Sequence, residues 1–369
     1  DRQELGLETV LVMQGGGSLG AYECGVYKTL TKHNIKFDIV AGTSIGAVNA
    51  AIIAAHHDDK DSAKELEKFW LDIAEIIMPI PSCYSPFFSD ETRAIMSSAS
   101  SALYGNPKAF MPLWFKPSSS YLSYRLPYPL FDIAPLKNTL NNYVDFTKLK
   151  DSGRPRLIMT STDIQTSNTV VFDSKYVNID VDHVVASVGF PFYGIAWTKK
   201  DGKCLWDGAL QSNTPLREVI DSSPIHDKIV YLINIFPRYQ KELPQDMFDA
   251  WHRARDIIYT DKTDNSIRMS KVISRYLFLL REMHELLMIR NSEYHDAKLE
   301  NRFQWMEHEY TKLALLRGAI IREIVRIERS EKTHFLFEDA DFSVVTTRKL
   351  IKQGEEDAER ALKIKSSND

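Results

Sequence analysis

Several features are scarce in this sequence of 369 residues. Its three cysteines, Cys24, Cys83 and Cys204, lie far apart and have no zinc-ligand spacing, so we expect free thiols in a reducing compartment. Basic residues are not in excess, because 46 Lys and Arg face 50 Asp and Glu for a net charge of -4. A nucleic-acid partner, which usually requires a basic domain, is therefore not expected.

Long apolar runs are missing as well. The longest stretch without charge, residues 39–55, is interrupted by Gly, Thr, Ser and Asn and is shorter than the roughly 20 residues of a membrane-spanning helix. Residues 1–8 lack the basic-then-apolar pattern of a signal peptide. With 44% hydrophobic and 26% charged residues, the composition predicts a globular protein, and we expect it in the cytoplasm.

The first sixty residues predict strand, glycine loop, helix, strand, sharp turn and helix, an order that favours a parallel α/β core. Residues 79–135 hold nine of the fifteen prolines and many aromatics, among them Phe87, Phe88, Phe110, Trp114, Phe115 and Tyr121. Such a loop-rich, aromatic insertion is expected to be either functional or a second core patch. Beyond residue 240, apolar residues recur at helical spacing from Met269 to Leu287 and from Leu313 to Ile327. We therefore predict domains at 1–240 and 241–369, the second one helical.

The pentapeptide Gly42-Thr43-Ser44-Ile45-Gly46 matches the G-x-S-x-G pattern between a predicted strand and a predicted helix. That context is typical of a nucleophile elbow, whose glycines permit a tight turn. Ser44 would lie at the N-terminus of the following helix, where the helix dipole favours negative charge. The alternative is a glycine turn that only packs a helix closely on a sheet.

The glycine loop Gly15-Gly16-Gly17-Ser18-Leu19-Gly20 has two interpretations. Its spacing fits a dinucleotide-binding fingerprint, with Asp38 as the acidic residue about 20 positions on. It also fits an oxyanion hole, in which successive backbone N–H groups face a substrate oxygen. A serine elbow within thirty residues favours the oxyanion hole.

Activation of Ser44 as a nucleophile would require a base. Of the ten histidines, only His226 follows a plausible acid near the end of an α/β element, and it lies in a polar turn. Asp207 is more informative, because it ends the apolar run Cys204-Leu205-Trp206 and precedes Gly208. A carboxylate at such a strand end could be desolvated, which would raise its pKa towards that of a useful base.

Together these motifs resemble the patatin-like phospholipase family, in the order glycine loop, elbow and Asp207-Gly208-Ala209. Ala186-Ser187, Pro191 and Asn213-Thr214-Pro215 support the resemblance, which covers roughly residues 8–240. Two departures are Leu19, where the family often has Arg or Lys, and Ala209, where Gly is commoner. The resemblance implies a three-layer α/β/α core with a mostly parallel sheet, and the helical C-terminal region would be an extension as in some microbial members.

The resemblance also implies a serine hydrolase acting on phospholipids, lysophospholipids or other acyl esters without a metal or cofactor. The insertion at 79–135 would then be a lid or acyl-site wall, with a second core patch as the alternative. Ser44 would be the nucleophile, Asp207 the base, and the N–H groups of Gly15, Gly16 and Gly17 the oxyanion hole. Gly20, Gly42, Gly46 and Gly208 support these motifs. The alternative is a regulatory lipid- or protein-binding member of the same fold. A basic amphipathic stretch at residues 268–290 leaves open peripheral membrane contact, an ordinary packed helix or a homo-oligomer face.

Overall fold

Five parallel strands form the centre of the protein, and the connections between them bring the predicted motifs to one edge of the sheet. The computed structural model describes residues 6–56, 59–74, 90–113, 128–241, 243–291, 297–330 and 338–368. The strands are β1 (Leu7–Met13), β2 (Ile39–Thr43), β3 (Met111–Pro112), β4 (Phe131–Asp132), β5 (Arg156–Asp163), β6 (Thr169–Asp173), β7 (Thr198–Lys200), β8 (Lys203–Asp207), β9 (Asp227–Asn234) and β10 (Ile321–Glu328). The helices are α1 (Gly20–Lys32), α2 (Ile45–Ala54), α3 (Asp59–Ala74), α4 (Asp90–Tyr104), α5 (Ala134–Tyr143), α6 (Val181–Ala186), α7 (Leu216–Ser222), α8 (Met247–Asn291), α9 (Ala297–Arg317) and α10 (Val344–Asn368).

The main sheet of the described chain has the order β10-β9-β1-β2-β5-β8-β7, with β6 also paired to β5. The strands from β10 to β5 are parallel, whereas β6, β7 and β8 pair antiparallel to their neighbours. Met13 of β1 lies opposite Gly42 of β2, and Thr43 lies opposite Thr160 of β5. The carboxyl ends of these three strands therefore meet at one edge of the sheet, where ligands of α/β proteins usually bind.

Helices cover both faces of the sheet, which explains why its central strands are apolar throughout. Side chains of α1, α2, α3 and α10 share one core cluster with the sheet. On the other face, Leu216, Val219 and Ile220 of α7 pack on β1, β2 and β9 together with Ile267 of α8. The predicted three-layer α/β/α architecture with a mostly parallel sheet is confirmed.

The chain beyond residue 240 is helical for most of its length, as predicted, but one part of that prediction is wrong. Ile324 and Ile327, which we assigned to a helix by their spacing, lie in β10 at the edge of the main sheet. In addition, α10 packs on α1 so closely that a Cβ on Gly25 would overlap the Ile351 carbonyl oxygen. The predicted boundary near residue 240 thus divides elements that share one sheet and one layer of helices.

No helix within the described ranges combines the length and the apolar character needed to cross a membrane. Two cysteines of these ranges, Cys24 and Cys204, are free thiols, whereas Cys83 lies outside them.

Candidate active site

Ser44 occupies the sharp turn between β2 and α2, as the elbow motif predicted. Its backbone has φ 56° and ψ −125°, a combination that a non-glycine residue adopts only under constraint. Both flanking glycines are required by close packing. A Cβ on Gly42 would overlap the Gly46 carbonyl oxygen, and one on Gly46 would lie 2.7 Å from the Gln14 carbonyl oxygen. This tight, strained turn therefore places the Ser44 side chain at the carboxyl edge of the sheet.

Asp207 lies at the end of β8, is only 1% exposed and lines the same cavity as Ser44, whose hydroxyl group is close enough to lower the pKa of the carboxyl group. Its Oδ1 accepts a hydrogen bond of 2.8 Å from the Ala209 N–H. Burial in the protein raises the pKa of Asp207 from 3.8 to about 7, although the Ser44 hydroxyl group and the Ala209 N–H oppose that rise. Gly208 keeps this turn tight, because a Cβ there would overlap the Thr160 carbonyl oxygen.

The glycine loop packs directly against Ser44. A Cβ on Gly15 would lie 2.6 Å from the Ser44 Cβ, so only glycine fits there. The Gly15 N–H donates to Asn213 Oδ1 at 3.1 Å, which differs from the prediction that all three N–H groups face a substrate oxygen. In the described part of the chain, the N–H groups of Gly16 and Gly17 donate to no protein acceptor. Two backbone donors beside Ser44 are thus available to a ligand.

Gly20 begins α1, and a Cβ on it would lie 2.7 Å from Ile45 Cγ1, so the loop and the elbow are packed together. Ser187 fixes the elbow from the other side. The Ser44 N–H donates to Ser187 Oγ at 2.9 Å, and that hydroxyl donates to the Thr160 carbonyl oxygen at 2.6 Å. Ser187 and Asn213, which the sequence flagged only as supporting residues, therefore hold the two motifs in place.

A cavity of about 370 Å³ opens above these residues and is lined by Ser44, Asp207 and the glycines of the loop. Most of its wall is apolar. Phe110, Leu130 and Phe131 come from the predicted insertion at 79–135, and Phe190 and Phe192 come from the segment after α6. Phe87, Phe88, Trp114, Phe115 and Tyr121 lie outside the described residues. An apolar cavity with a few polar groups at its base suits a ligand with a hydrocarbon portion.

The chain beyond residue 240 also lines this cavity, which the sequence did not indicate. Arg255 and Tyr259 of α8 contribute, as do Asp339 and Phe342. The Asp339 carboxylate accepts hydrogen bonds from the Tyr193 hydroxyl and, at 2.9 Å, from Arg255 Nη1. We call this set, Tyr193, Arg255 and Asp339, the clasp. It holds the segment 338–342 against the glycine loop, where a Cβ on Gly17 would overlap the Asp339 carbonyl oxygen.

Histidine plays no part in the described wall of the cavity. His226, the histidine considered from the sequence, lies at the opposite end of the sheet, where its Nδ1 is 3.2 Å from Glu8 Oε1. No group of His, Cys, Asp and Glu in the described ranges has an arrangement that could hold a metal ion. Chemically, the site offers a serine hydroxyl, a buried carboxyl group of raised pKa and two backbone donors.

Comparison with known proteins identifies the family of this chain. The family model for patatin-like phospholipases matches residues 11–220, more than half of the chain. This protein therefore belongs to the patatin-like phospholipase family.

Among curated proteins, the chain is similar to lysophospholipase NTE1 of Meyerozyma guilliermondii, with 35% identity over 79 residues, or 20% of this chain and 6% of that protein. It is also similar to triacylglycerol lipase SDP1L of Arabidopsis thaliana, with 40% identity over 62 residues, or 17% and 7% of the two chains. The matched segments thus span less than a tenth of the length of these relatives. Among solved structures, VipD from Legionella pneumophila aligns with 96% of this chain and 67% of its own, at a TM-score of 0.40 and 12% identity.

Proposed function

We propose that this protein is a lipid acyl hydrolase that cleaves carboxylic ester bonds of phospholipids or lysophospholipids through Ser44 and Asp207. The observation that carries the proposal is that the strained elbow serine, Ser44, and the buried carboxyl group of Asp207 line the same apolar cavity. Membership of the patatin-like phospholipase family supports it.

In the first half of the reaction, Asp207 as carboxylate takes the hydroxyl proton while Ser44 Oγ forms a bond to the ester carbonyl carbon. The carbonyl oxygen becomes an oxyanion, and the N–H groups of Gly16 and Gly17 donate hydrogen bonds to it. Gly15 instead fixes the loop through Asn213. When the intermediate collapses, the ester C–O bond breaks and Asp207 returns the proton to the leaving alkoxide. The products are an alcohol and an acyl-serine.

In the second half, water attacks the acyl carbon while Asp207 accepts one of its protons. The same two N–H groups stabilise the second oxyanion. Collapse breaks the bond to Ser44 Oγ, which regains its proton from Asp207, and a fatty acid leaves. The raised pKa of Asp207 favours both proton transfers, because a base whose pKa lies near the working pH both accepts and returns a proton readily.

The acyl chain would lie along the apolar wall formed by Phe110, Phe131, Phe190 and Phe342. Burial of each methylene group contributes about 0.8 kcal/mol, so a chain of several carbons supplies substantial binding energy. Arg255 and Asp339 of the clasp would contact the polar end of the lipid, since their side chains are charged.

Contact with a lipid interface is a further part of this proposal, on the exposed face of α8. Apolar Val272, Tyr276 and Leu279 are exposed there next to the basic residues Lys271 and Arg275. Arg281, which the sequence counted towards the basic charge of this helix, is paired with Asp227 and is therefore not offered to a membrane. Sedimentation with anionic vesicles tests the contact. The double variant Lys271→Glu/Arg275→Glu should bind less, and unchanged binding would contradict it.

The hydrolase proposal is tested by fatty-acid release from lysophosphatidylcholine and from phosphatidylcholine vesicles. We expect Ser44→Ala and Asp207→Asn to lower turnover by about 10⁴-fold or more, as loss of a catalytic nucleophile or base does. Ser223→Ala is the matched control, because this buried serine binds Glu8 at the opposite end of the sheet. Turnover near the wild-type level in Ser44→Ala, or none in the wild type, would contradict the proposal.

A further inference from the structure

A second buried carboxyl group, Glu23 on α1, lies beneath the glycine loop and has no part in the proton transfers above. It is 0% exposed, and both of its oxygens accept hydrogen bonds. The Gln14 N–H donates to Oε1 at 2.7 Å, and Asn49 Nδ2 donates to Oε2 at 2.8 Å.

The two donors belong to the two halves of the site. Gln14 immediately precedes Gly15, and Asn49 lies on α2, the helix that begins directly after Ser44. We propose that Glu23 is a positioning residue that fixes the oxyanion-binding glycine loop relative to Ser44 by bonding Gln14 and Asn49 at once. This inference rests on the proposed function, because it concerns the geometry of that reaction.

The orientation of Asn49 is fixed, so both Glu23 oxygens must face donors. Asn49 Oδ1 accepts a hydrogen bond of 3.0 Å from Trp70 Nε1, and the second hydrogen of Nδ2 is directed to the Gly20 carbonyl oxygen at 3.0 Å. A flipped amide would lose all three contacts. A glutamine in place of Glu23 has only one acceptor oxygen, and its NH₂ group would face either the Gln14 N–H or Asn49 Nδ2.

Gln14 is held independently on its other side. Its Nε2 donates to Thr214 Oγ1 at 2.7 Å and to Asn234 Oδ1 at 3.0 Å, and its Oε1 accepts from the Ile235 N–H at 2.9 Å. These contacts tie the loop to the end of β9 and do not involve α2. Disruption of the Glu23 contacts would therefore leave the loop attached to the sheet while loosening it from the nucleophile helix.

Burying an ionisable group such as Glu23 costs folding free energy, so a merely structural role would be filled better by an apolar side chain. Burial raises the pKa of this carboxyl group to about 8, although the hydrogen bonds from Asn49 and Gln14 oppose the rise. Buried ionisable groups often stabilise a fold less than apolar side chains of similar volume. What the carboxyl group offers that an apolar residue lacks is two acceptors in one plane, aimed at the two parts of the site.

The test compares Glu23→Gln with the double variant Glu23→Gln/Asn49→Asp. In the double variant, an acid at position 49 can accept hydrogen bonds from the new amide and from Trp70 Nε1. This restores the link between positions 23 and 49, although the bond from Asn49 to the Gly20 carbonyl oxygen is lost. We expect Glu23→Gln to lower kcat for a p-nitrophenyl ester about 10- to 100-fold, in line with misplaced catalytic groups and oxyanion donors. KM should change less than about threefold, because Glu23 does not line the cavity. The double variant should recover a large part of kcat.

Asp227→Asn is the matched control, because Asp227 is a buried carboxylate that accepts the Ile320 N–H at the opposite end of the sheet. It should lower the melting temperature without lowering kcat. If Glu23→Gln does not fold, Trp70→Phe removes the donor that orients Asn49, together with part of a buried ring, and a loss of kcat of about two- to tenfold is expected.

Wild-type kcat in Glu23→Gln, or in Trp70→Phe where that variant replaces it, would overturn the inference. So would a loss of kcat that Asp227→Asn reproduces at equal loss of melting temperature, or a double variant no better than the single one. An inactive wild type would instead remove the proposed function, and this inference with it.

Discussion

Replacement of Asp207 by asparagine should stabilise the protein at pH 8 and leave its stability at pH 4 almost unchanged. Burial raises the pKa of Asp207 to about 7 in the folded protein, whereas the unfolded chain keeps a value near 3.8. Between these values the folded state binds a proton that the unfolded state has released. The free energy of unfolding therefore falls as the pH rises through this window. An asparagine does not titrate, so it avoids this loss.

The size of the effect follows from the shift of about 3 pKa units. At 1.36 kcal/mol per unit, the cost of ionising Asp207 in the folded state reaches about 4 kcal/mol above pH 7. With an unfolding entropy of about 2.1 cal/mol/K per residue, 369 residues give about 0.8 kcal/mol/K. The melting temperature of Asp207→Asn should then gain about 5 °C on the wild type between pH 4 and pH 8. The amide also fits the site, since it can accept from Ala209 and donate to Ser44.

Calorimetric melting of both proteins at pH values from 4 to 8 measures this difference. Asp227→Asn provides a control of opposite sign. Although burial opposes it, hydrogen bonds from Arg281 and Ile320 lower the pKa of Asp227. That variant should be less stable than the wild type at pH 8, and the difference should shrink in acid. A difference between Asp207→Asn and the wild type that does not change with pH would refute the reasoning about Asp207.

Two further predictions concern activity. Because the base must be ionised, kcat/KM should rise about tenfold per pH unit below about pH 7 and level off above it, and a plateau from pH 5 would show that the base has an ordinary pKa. Removal of the clasp by Asp339→Ala leaves the Tyr193 hydroxyl and Arg255 Nη1 without this acceptor, so the protein should lose about 3 kcal/mol of stability. The clasp also holds the segment that carries Phe342 of the apolar wall, so KM for a decanoyl ester should rise while that for an acetyl ester does not. Unfolding and KM measurements check the two effects. Asp341→Ala, at a buried carboxylate that bonds Ser343 and Thr346, should lose stability without changing this selectivity, and equal selectivity changes in both variants would contradict the role of the clasp.

The parts of the site that could be predicted from the sequence are those whose signal is local. The elbow and the glycine loop each occupy a few consecutive residues between a strand and a helix, and close packing leaves no room for a Cβ at Gly15, Gly42 or Gly46. Asp207 was recognisable because an apolar strand ends at it. The residues adjacent to each of these positions in the sequence are therefore enough to predict its place in the fold.

The clasp could not be predicted, because its members meet only in the folded chain. Tyr193 and Asp339 are 146 residues apart, and Arg255 and Asp339 are 84 apart. The segment around Asp339 reaches the glycine loop after β10 joins the edge of the sheet. Nothing in the sequence near Asp339 distinguishes it from the acidic residues at the surface.

The strand β10 was assigned to a helix for a physical reason. Its pairing with β9 shifts register between Ile321 and Glu323, which interrupts the alternation of buried and exposed residues that identifies a strand. The spacing of Ile324 and Ile327 then matches one helical turn. Because β10 is an edge strand, it also carries charged residues: Arg322 pairs with Asp227 and Arg326 pairs with Asp264. These charged residues interrupt the apolar sequence pattern that would identify a strand.

The central claim is that Ser44 is a nucleophile activated within this fold. Labelling with a fluorophosphonate probe, read by intact mass, tests it most directly in the wild type, Ser44→Ala and Ser223→Ala. We predict a single adduct on the wild type and on Ser223→Ala, and none on Ser44→Ala. An adduct that persists in Ser44→Ala, or a folded wild-type protein that takes no label, would contradict the account.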